Sequence, residues 1–193
     1  MPDISVIMGI YNCQDTLAEA IRSIIGQTYS SWELIVCDDG STDGTYALAD
    51  SFRQTDPQRI ILLKNERNMG LNHTLNVCLE QARGRYIARM DGDDVSLPQR
   101  FEVQAAYLDR HPEHAIVSAA MALTDHLGQW GEVRYPENPG PRDMMRRTPF
   151  AHAPSMVRAE AMRAVNGYSV SKYLLRVEDY HLWFKMYRAG FRG

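Results

Sequence analysis

The sequence YIARMDGDD, residues 86–94, runs from an apolar strand straight into three carboxylates. Asp91, Asp93 and Asp94 repel one another, and each loses water as it nears a core. A hard divalent cation would remove that cost, because Mg²⁺ or Mn²⁺ prefers oxygen ligands and leaves sites open for substrate phosphates. A polar turn ahead of a helix that begins near Pro98 would explain the same acids. The stretch alone leaves both interpretations open.

Length and composition narrow the class of protein. With 193 residues, 45% of them hydrophobic, the chain is long enough for one domain with a proper core. A net charge of −3 argues against a general nucleic-acid-binding protein. Three cysteines (Cys13, Cys37 and Cys78) without metal-ligand spacing favour free thiols in a reducing compartment. Since we find no signal peptide or membrane-spanning run, we expect a cytoplasmic protein, with peripheral membrane contact still open.

Apolar runs alternate with helical patterns through the first half of the chain. Four runs have the length of buried strands, at residues 4–10, 32–37, 60–63 and 86–90. Helical patterns follow them, at about residues 15–25, 45–54, 71–82 and 98–110. Such alternation predicts an α/β fold with a doubly wound, mostly parallel sheet.

The pattern changes after Ile116. Strand-like residues at 116–123 precede a turn-rich, proline-containing segment at 128–140. A short strand, a short helix and a longer final helix are predicted after it, at 154–157, 160–165 and 178–189. We therefore divide one domain into an α/β half, residues 1–115, and a smaller second region, residues 116–193.

Polar clusters follow three of the predicted strands. They are Tyr11–Asn12, Asp38–Asp39 and Asp91–Asp94, and the carboxyl ends of parallel strands share one edge of a sheet, where ligands bind. An acid after the second strand could accept hydrogen bonds from a ribose or a base, although turn formation alone is the simpler explanation of these residues. No Gly-x-Gly-x-x-Gly follows the first strand, which argues against a dinucleotide site.

Two acids open the last predicted helix. Glu178 and Asp179 suit a helix N-terminus, where negative charge is favourable, so a purely structural role explains them. Asp179 also falls on the side of the helix that carries Leu182 and Trp183. An acid that faces inward above an apolar surface is a candidate general base.

Three further signals have competing interpretations. An Asp-x-Asp after a buried strand also occurs in phosphatases of the haloacid-dehalogenase type, where Asp91 would be a nucleophile. His152 is a lone histidine among apolar residues, which favours a structural, hydrogen-bonded role. Lys172 and Arg176 could reach a phosphate from the loop before the last helix, and an ordinary exposed loop is an equal alternative.

Taken in order, the motifs resemble the family 2 inverting glycosyltransferases of the GT-A fold. They are SVIMGIYN at 5–12, VCDDGSTDGT at 36–45, NMGL at 68–71, LN at 75–76, IARMDGDDVSLP at 87–98, GY at 167–168 and EDYHLW at 178–183. The resemblance covers nearly the whole chain, and its specificity comes from the ordered set. It is nearest in style to bacterial enzymes that build surface or capsular polysaccharide, and it implies a Rossmann-like GT-A sheet.

The resemblance also implies roles for individual residues. Asp39 would contact the base or ribose of a nucleotide-sugar donor, Asp91 and Asp93 would hold Mn²⁺ or Mg²⁺ at the diphosphate, and Asp179 would be the catalytic base. The donor is expected to be UDP-linked, and the acceptor a saccharide or lipid-linked saccharide, with no nucleic-acid partner. The residues expected to bind substrate are Tyr11, Asp39, Asn68, Gly70, Asp91 and Glu178.

The sequence departs from the family pattern at two places. Gly9 and Ile10 stand where many relatives carry a small polar residue, which leaves the donor contacts there open. The chain ends at Gly193, so the resemblance implies an acceptor-side region, residues 116–193, that is cut short. A non-catalytic module that binds a nucleotide sugar therefore remains an alternative.

Overall fold

The computed structural model describes residues 1–174 and 177–193. Strands and helices alternate through the first half, as the periodicity predicts. The strands are β1 (Ile4–Ile10), β2 (Trp32–Asp38), β3 (Ile60–Lys64), β4 (Tyr86–Arg89), β5 (Ile116–Val117), β6 (Met121–Asp125), β7 (Gly128–Val133) and β8 (Met156–Arg158). The α-helices are α1 (Leu17–Ile25), α2 (Thr45–Thr55), α3 (Leu71–Gln81), α4 (Arg100–Arg110), α5 (Pro141–Met144), α6 (Ala159–Ala164) and α7 (Glu178–Arg188), with a 3₁₀ turn at Lys172–Leu174.

The central sheet has the strand order β3-β2-β1-β4-β8-β5. Strands β1 to β4 run parallel, β8 runs antiparallel to β4, and β5 runs antiparallel to β8. The order reverses at β1, which has β2 on one side and β4 on the other. A crevice opens at such a reversal, beyond the carboxyl ends of the strands, so β1, β2 and β4 are the strands that can present a ligand site.

Two apolar cores cover the two faces of the sheet. Successive side chains of a strand point to opposite faces, so Val6 and Met8 join one core while Ile7 joins the other. Helices α1, α2 and α4 pack on the first face, and α3, α6 and α7 pack on the second. Helices on both faces of a mostly parallel sheet confirm the predicted doubly wound α/β fold.

The second half contains elements that the sequence did not predict, among them a strand, the helix α5 and the 3₁₀ turn. Residues 128–133, predicted as turn-rich, form β7, which pairs with β6 in a two-stranded antiparallel sheet. Gly128 has φ of +114°, a conformation that glycine adopts without strain, and it supplies the turn of this hairpin. The strand predicted at 116–123 is divided, because β5 lies at the edge of the central sheet while β6 leaves to pair with β7.

The cysteines agree with the prediction of free thiols. Cys37 and Cys78 are buried core residues, and all three cysteines are free thiols. Among the described residues, no helix combines the length and apolar character that crossing a membrane requires.

Candidate functional site

The loops after β1 and β2 are joined by hydrogen bonds at the carboxyl edge of the sheet. The backbone N–H of Asn12 donates to the Ser41 hydroxyl at 3.0 Å, and the Asn12 side-chain oxygen accepts from the Thr42 N–H at 2.9 Å. Asn12 has φ of +47°, which asparagine tolerates better than most residues. Tyr11 stands beside this joint with 47% of its surface exposed, so its ring is free to meet a ligand.

Asp39 is a buried carboxylate that organises a third loop. It is 4% exposed and accepts from the backbone N–H groups of Met69 at 2.8 Å and Gly70 at 2.9 Å. The Asn65 side chain donates a third bond at 2.7 Å. Gly70 has φ of +88°, a conformation that favours glycine and lets its N–H turn toward the acid. Asn68, in the same loop, accepts from Gly70 N–H at 3.2 Å.

The turn at residues 91–94 rests directly on the end of β1. A Cβ added to Gly92 would lie 2.8 Å from the Cys13 sulfur and 3.2 Å from the Ile10 side chain, so only glycine fits without movement. The Thr16 hydroxyl donates to the Gly92 carbonyl at 2.9 Å. Close packing therefore fixes the backbone between Asp91 and Asp93.

The three carboxylates of this turn have different surroundings. Asp91 pairs through Oδ2 with the guanidinium of Arg89, which is 4% exposed. Asp93 is exposed, while Asp94 is half-buried. Burial raises the pKa of Asp94, and the like charges of Asp91 and Asp93 raise it further. The turn is thus strongly negative at its surface.

The donor set of this turn fits Mn²⁺ or Mg²⁺. In the described part of the chain, Asp91, Asp93 and Asp94 do not bring three ligand oxygens within 4.8 Å of one another. A closed protein cage is not what these ions use beside a diphosphate, since one or two carboxylates, waters and the phosphates complete their shell. Asp91 and Asp93 supply such oxygens, and mutual repulsion of the acids favours a cation.

Asp179 and Asp91 approach one buried phenol from different elements. Tyr168 is 3% exposed, and burial raises its pKa. The negative charges of Asp91, Asp179 and Glu178 raise it too, while Arg89 opposes them. The acid at the start of α7 and the acid after β4 therefore both act electrostatically on the same buried hydroxyl. The Asp179 Oδ2 accepts from the Thr148 hydroxyl at 3.2 Å.

His152 fills the space between Tyr168 and the apolar core. Its Nε2 lies 2.9 Å from the Tyr168 hydroxyl, and its ring meets Trp183 edge-on at 6.3 Å between centroids. Burial lowers the pKa of His152 well below its usual value, and the Arg89 charge adds to that shift. The predicted hydrogen bonding of His152 is confirmed.

Two residues that shape the site, Arg89 and Asn76, lie in the quoted motifs but were given no role from the sequence. Arg89 ends a strand that otherwise reads as apolar, and the arginine is the signal that could have found it. Asn76 binds the Tyr168 backbone twice, accepting from its N–H at 2.9 Å and donating to its carbonyl at 2.8 Å. Arg176, a candidate for a phosphate contact, lies outside the described residues.

Relatives of this sequence point to one family. The sequence profile of glycosyl transferase family 2 matches residues 5–167. EpsE of Bacillus subtilis (strain 168) is 46% identical over 192 residues, which are 100% of this chain and 69% of EpsE. The amylovoran biosynthesis glycosyltransferase AmsE of Erwinia amylovora is 30% identical over 191 residues, 96% of this chain and 70% of AmsE. WfgD of Escherichia coli, a UDP-Glc:alpha-D-GlcNAc-diphosphoundecaprenol beta-1,3-glucosyltransferase, is 39% identical over 105 residues, 54% of this chain and 40% of WfgD.

Solved structures share the fold at low identity. TarS of S. aureus, in complex with UDP, aligns with a TM-score of 0.75 at 22% identity, over 97% of this chain and 55% of that chain. The mannosyltransferase PcManGT of Pyrobaculum calidifontis, in complex with GDP-Man and Mn²⁺, aligns with a TM-score of 0.77 at 21% identity, over 99% and 53%. The chain thus spans about half the length of these solved chains, and the alignments confirm the predicted GT-A fold.

Proposed function

We propose that this chain, which belongs to glycosyl transferase family 2, moves a sugar from a UDP-linked donor to a hydroxyl group with inversion at the anomeric carbon. The observation that supports the proposal is the placement of Asp39 and Asp91 after β2 and β4, at the sheet edge where the strand order reverses. The charges of Asp91 and Asp179, which come from separate elements, also both act on the buried Tyr168 hydroxyl. Asp39 follows β2, which is two strands from β4 across β1. The nucleoside, the diphosphate and the acceptor would then lie in one crevice, beside Asp39, Asp91 and Asp179 respectively.

The nucleoside is proposed to bind at the Asp39 loop. A carboxylate has about four lone-pair positions, and Asp39 uses three of them to hold Asn65, Met69 and Gly70. About one position is left, which suits a single base N–H or ribose hydroxyl. The exposed ring of Tyr11 would stack on the base.

Asn68 and Gly70 would complete the nucleoside pocket from the adjoining loop. Asn68 is exposed, and its side-chain oxygen already orients the Gly70 N–H. Two loops held by one buried acid give the pocket a fixed shape before a ligand arrives, which reduces the ordering cost of binding.

The diphosphate is proposed to lie over the turn at residues 91–94. Asp91 and Asp93 would hold Mn²⁺ or Mg²⁺, which supplies positive charge for the departing diphosphate. Arg89 engages the Oδ2 of Asp91, so the other oxygen of that carboxylate is the one available to a ligand. Arg89 thereby orients Asp91 from below the turn.

Asp179 is proposed to accept the proton of the attacking hydroxyl. The bond from the acceptor oxygen to the anomeric carbon forms as the bond from that carbon to the diphosphate breaks, and one displacement inverts the centre. Thr148 holds the Oδ2 of Asp179, which leaves Oδ1 for the proton. Such general base catalysis typically contributes about 10²–10⁴ in rate. Glu178, in the same turn of α7, would bind a sugar hydroxyl.

The acceptor is proposed to be a saccharide or a lipid-linked saccharide. The name of WfgD includes a sugar on diphosphoundecaprenol, and AmsE is named for the biosynthesis of amylovoran. By similarity to these relatives, this chain would act in the synthesis of a bacterial surface polysaccharide. A lipid-linked acceptor would place it at the cytoplasmic face of a membrane, as a peripheral protein.

Calorimetry of UDP binding tests the proposal. We expect UDP to bind in the presence of Mn²⁺ and to bind at least about tenfold more weakly with a chelator, because its diphosphate would lose the counter-charge. Asp93→Ala should abolish the difference, while Asp125→Ala, an exposed acid in the β6–β7 turn, should preserve it. Equal UDP affinity with Mn²⁺ and with chelator would refute the metal assignment. Binding without sugar transfer to any hydroxyl would favour a non-catalytic module.

A further inference from the structure

A second group of potential metal ligands lies at the other end of α4. His111, Glu113 and His114 each offer one ligand atom, and these three atoms lie within 4.8 Å of one another. Since α4 runs back from the turn at residues 91–94, its C-terminal end lies at the amino-terminal edge of the sheet, away from the carboxyl edge. The group is thus separate from the proposed donor site.

A tight turn brings the three side chains together. His111 follows α4, and the ring of Pro112 restricts the φ angle of that proline. The His114 N–H donates to the His111 carbonyl at 3.0 Å, which closes the turn. Arg158 braces the turn from behind: its Nε donates to the His114 carbonyl at 2.8 Å, and its Nη2 donates to the His111 carbonyl at 3.2 Å. The backbone that carries the ligands is therefore set in advance.

Aromatic stacking orients the two imidazoles. The rings of His111 and Tyr107 stack at 4.4 Å between centroids, with 28° between their planes. The rings of His111 and His114 lie 5.7 Å apart at 22°. Two imidazoles bound to one tetrahedral zinc through nitrogens at about 2.0–2.1 Å have ring centres about 5–6 Å apart. The observed spacing fits a shared ion once the rings rotate so that an in-plane nitrogen lone pair of each points at it.

The hydrogen bonds of these side chains suit metal binding. The Tyr107 hydroxyl lies 2.8 Å from the Nδ1 of His114. When Nδ1–H donates to that hydroxyl, the lone pair of Nε2 is free for a metal, which is the arrangement that outer partners of metal-binding histidines enforce. Glu113 adds a negative charge, and its Oε1 lies 3.0 Å from the Nδ1 of His111.

We propose that His111, Glu113 and His114 form a binding site for a borderline-soft divalent ion, with Zn²⁺ as its best occupant. Two imidazoles and one carboxylate are ligands for zinc, and a water would take the fourth position. Modest side-chain rotation would close the ligand atoms to the separation of about 3.4 Å that tetrahedral bonds of about 2.1 Å require. Imidazole ligands select against Mg²⁺ and Mn²⁺, so the two ends of α4 would bind different classes of metal.

The ion would stabilise the edge of the sheet. The turn leads directly into β5, and the N–H groups of Ala115 and Ile116 donate to the Arg192 carbonyl at 2.7 and 3.2 Å. Fixing His114 therefore fixes the start of an edge strand and the chain that pairs with it. Because a ligand that binds only the folded state stabilises it, Zn²⁺ should raise the melting temperature.

Titration with Zn²⁺ in excess Mg²⁺ tests the site. We expect one zinc ion to bind and to raise the melting temperature. His114→Ala and Glu113→Gln should each weaken zinc binding at least about tenfold, and Tyr107→Phe should weaken it by about 10–100-fold by releasing His114. His126→Ala, which removes an exposed histidine from the β6–β7 turn, is the matched control and should bind zinc like the parent protein.

Two further variants test whether zinc binds at the carboxyl edge of the sheet instead of at His111, Glu113 and His114. Cys13→Ser and Asp93→Ala remove a thiol and an acid from the carboxyl edge, and both should retain full zinc affinity. His111→Gln provides a second ligand variant if His114→Ala does not fold. Unchanged zinc affinity in the folded ligand variants, or loss of zinc binding in Cys13→Ser, would overturn the proposal.

Discussion

Replacing Asp39 with alanine removes the acid that joins β2 to the loop at residues 65–70. The carboxylate is 4% exposed and accepts from Asn65, Met69 and Gly70 at 2.7–2.9 Å. Hydrogen bonds to a charged group contribute about 1.5–3 kcal/mol each, and a buried donor left unpaired costs about 1–3 kcal/mol. Three such bonds would give an upper limit of several kcal/mol.

Alternative partners reduce that limit. The Asn65 amide also donates to the Thr74 hydroxyl at 3.0 Å, and the Gly70 N–H also reaches the Asn68 side chain at 3.2 Å. Only the Met69 N–H loses its sole hydrogen-bond acceptor among the described residues, and water can reach this residue because it is 43% exposed. We therefore expect Asp39→Ala to lower the free energy of unfolding by about 2–4 kcal/mol.

Asp39→Asn removes the negative charge while keeping the size of the side chain, so it shows how much of the effect of Asp39→Ala comes from the charge. Its amide oxygen can replace Oδ1 and keep the bonds from Asn65 and Met69, but its NH₂ then faces the Gly70 N–H. The expected loss is about 1–2 kcal/mol. Urea unfolding of both variants measures these values, with Asp15→Ala, an exposed acid in the loop after β1, as control.

UDP calorimetry on the same variants tests the nucleoside role. Both substitutions should weaken UDP while leaving Mn²⁺ affinity nearly unchanged, because Asp39 lies outside the turn at residues 91–94. An Asp39→Ala protein as stable as the parent, within about 0.5 kcal/mol, would refute the account of the loop. Equal losses of UDP and Mn²⁺ affinity would instead place Asp39 among the metal ligands.

Three other perturbations follow from the site. Asp179→Asn keeps the size of the side chain but cannot accept a proton, so in a form that transfers sugar it should bind UDP-sugar normally and react at least about 100-fold more slowly; a near-parental rate would make Glu178 the next candidate. Burial lowers the pKa of His152, so the folded state resists its protonation. The contribution of neutral His152 to the free energy of unfolding is complete above a pH of about 6.5 and declines by up to about 1.4 kcal/mol per pH unit below it. Urea unfolding at about pH 7 and about pH 5 should therefore show a smaller loss of stability in His152→Gln than in the parent protein. An equal loss in the two proteins would contradict the assignment. Gly92→Ala should cost about 1–3 kcal/mol in thermal or urea unfolding, because its Cβ would press on Cys13 and Ile10, whereas Gly131→Ala, whose Cβ would come no closer than 3.4 Å to its neighbours, should cost less.

The strands of the first half were predictable because burial dictates them. Strands β1 and β2 are covered on both faces, so their residues form apolar runs whose length alone identifies a strand. Their parallel direction follows from the helices between them. Strand β7 and its pairing with β6 were missed because the residues of both strands are largely exposed and neither core fixes their pattern.

The edge that carries the candidate site was predictable from topology. The acids Asp39 and Asp91 follow parallel strands, and parallel strands end at one edge whatever the details of their packing. The ordered motifs indicated glycosyl transferase family 2, which the profile match confirms and which replaces the phosphatase alternative. The network around Asp39 was not predictable, because Asn65 and Thr74 meet the acid through loop geometry that periodicity does not describe.

Arg89 is an exception to the rule that a strand buried on both faces is apolar, and it lies next to the candidate site. A strand covered on both faces should be apolar, yet this guanidinium is 4% exposed, and Arg100 lies close behind it, donating to the Arg89 carbonyl at 2.8 Å. Burial and the neighbouring Arg89 charge lower the pKa of Arg100 to about 10, so Arg100 stays charged at neutral pH.

The guanidinium groups of Arg89, which is buried, and Arg100, which is partly buried, oppose the three carboxylates of the turn, so the formal charges, three negative and two positive, leave one negative charge. That remaining charge favours a divalent cation at the turn. A diphosphate adds negative charge at the same place, so the affinity for the ion should rise when the nucleotide binds. Metal and donor are then expected to bind together, each strengthening the other by the same factor.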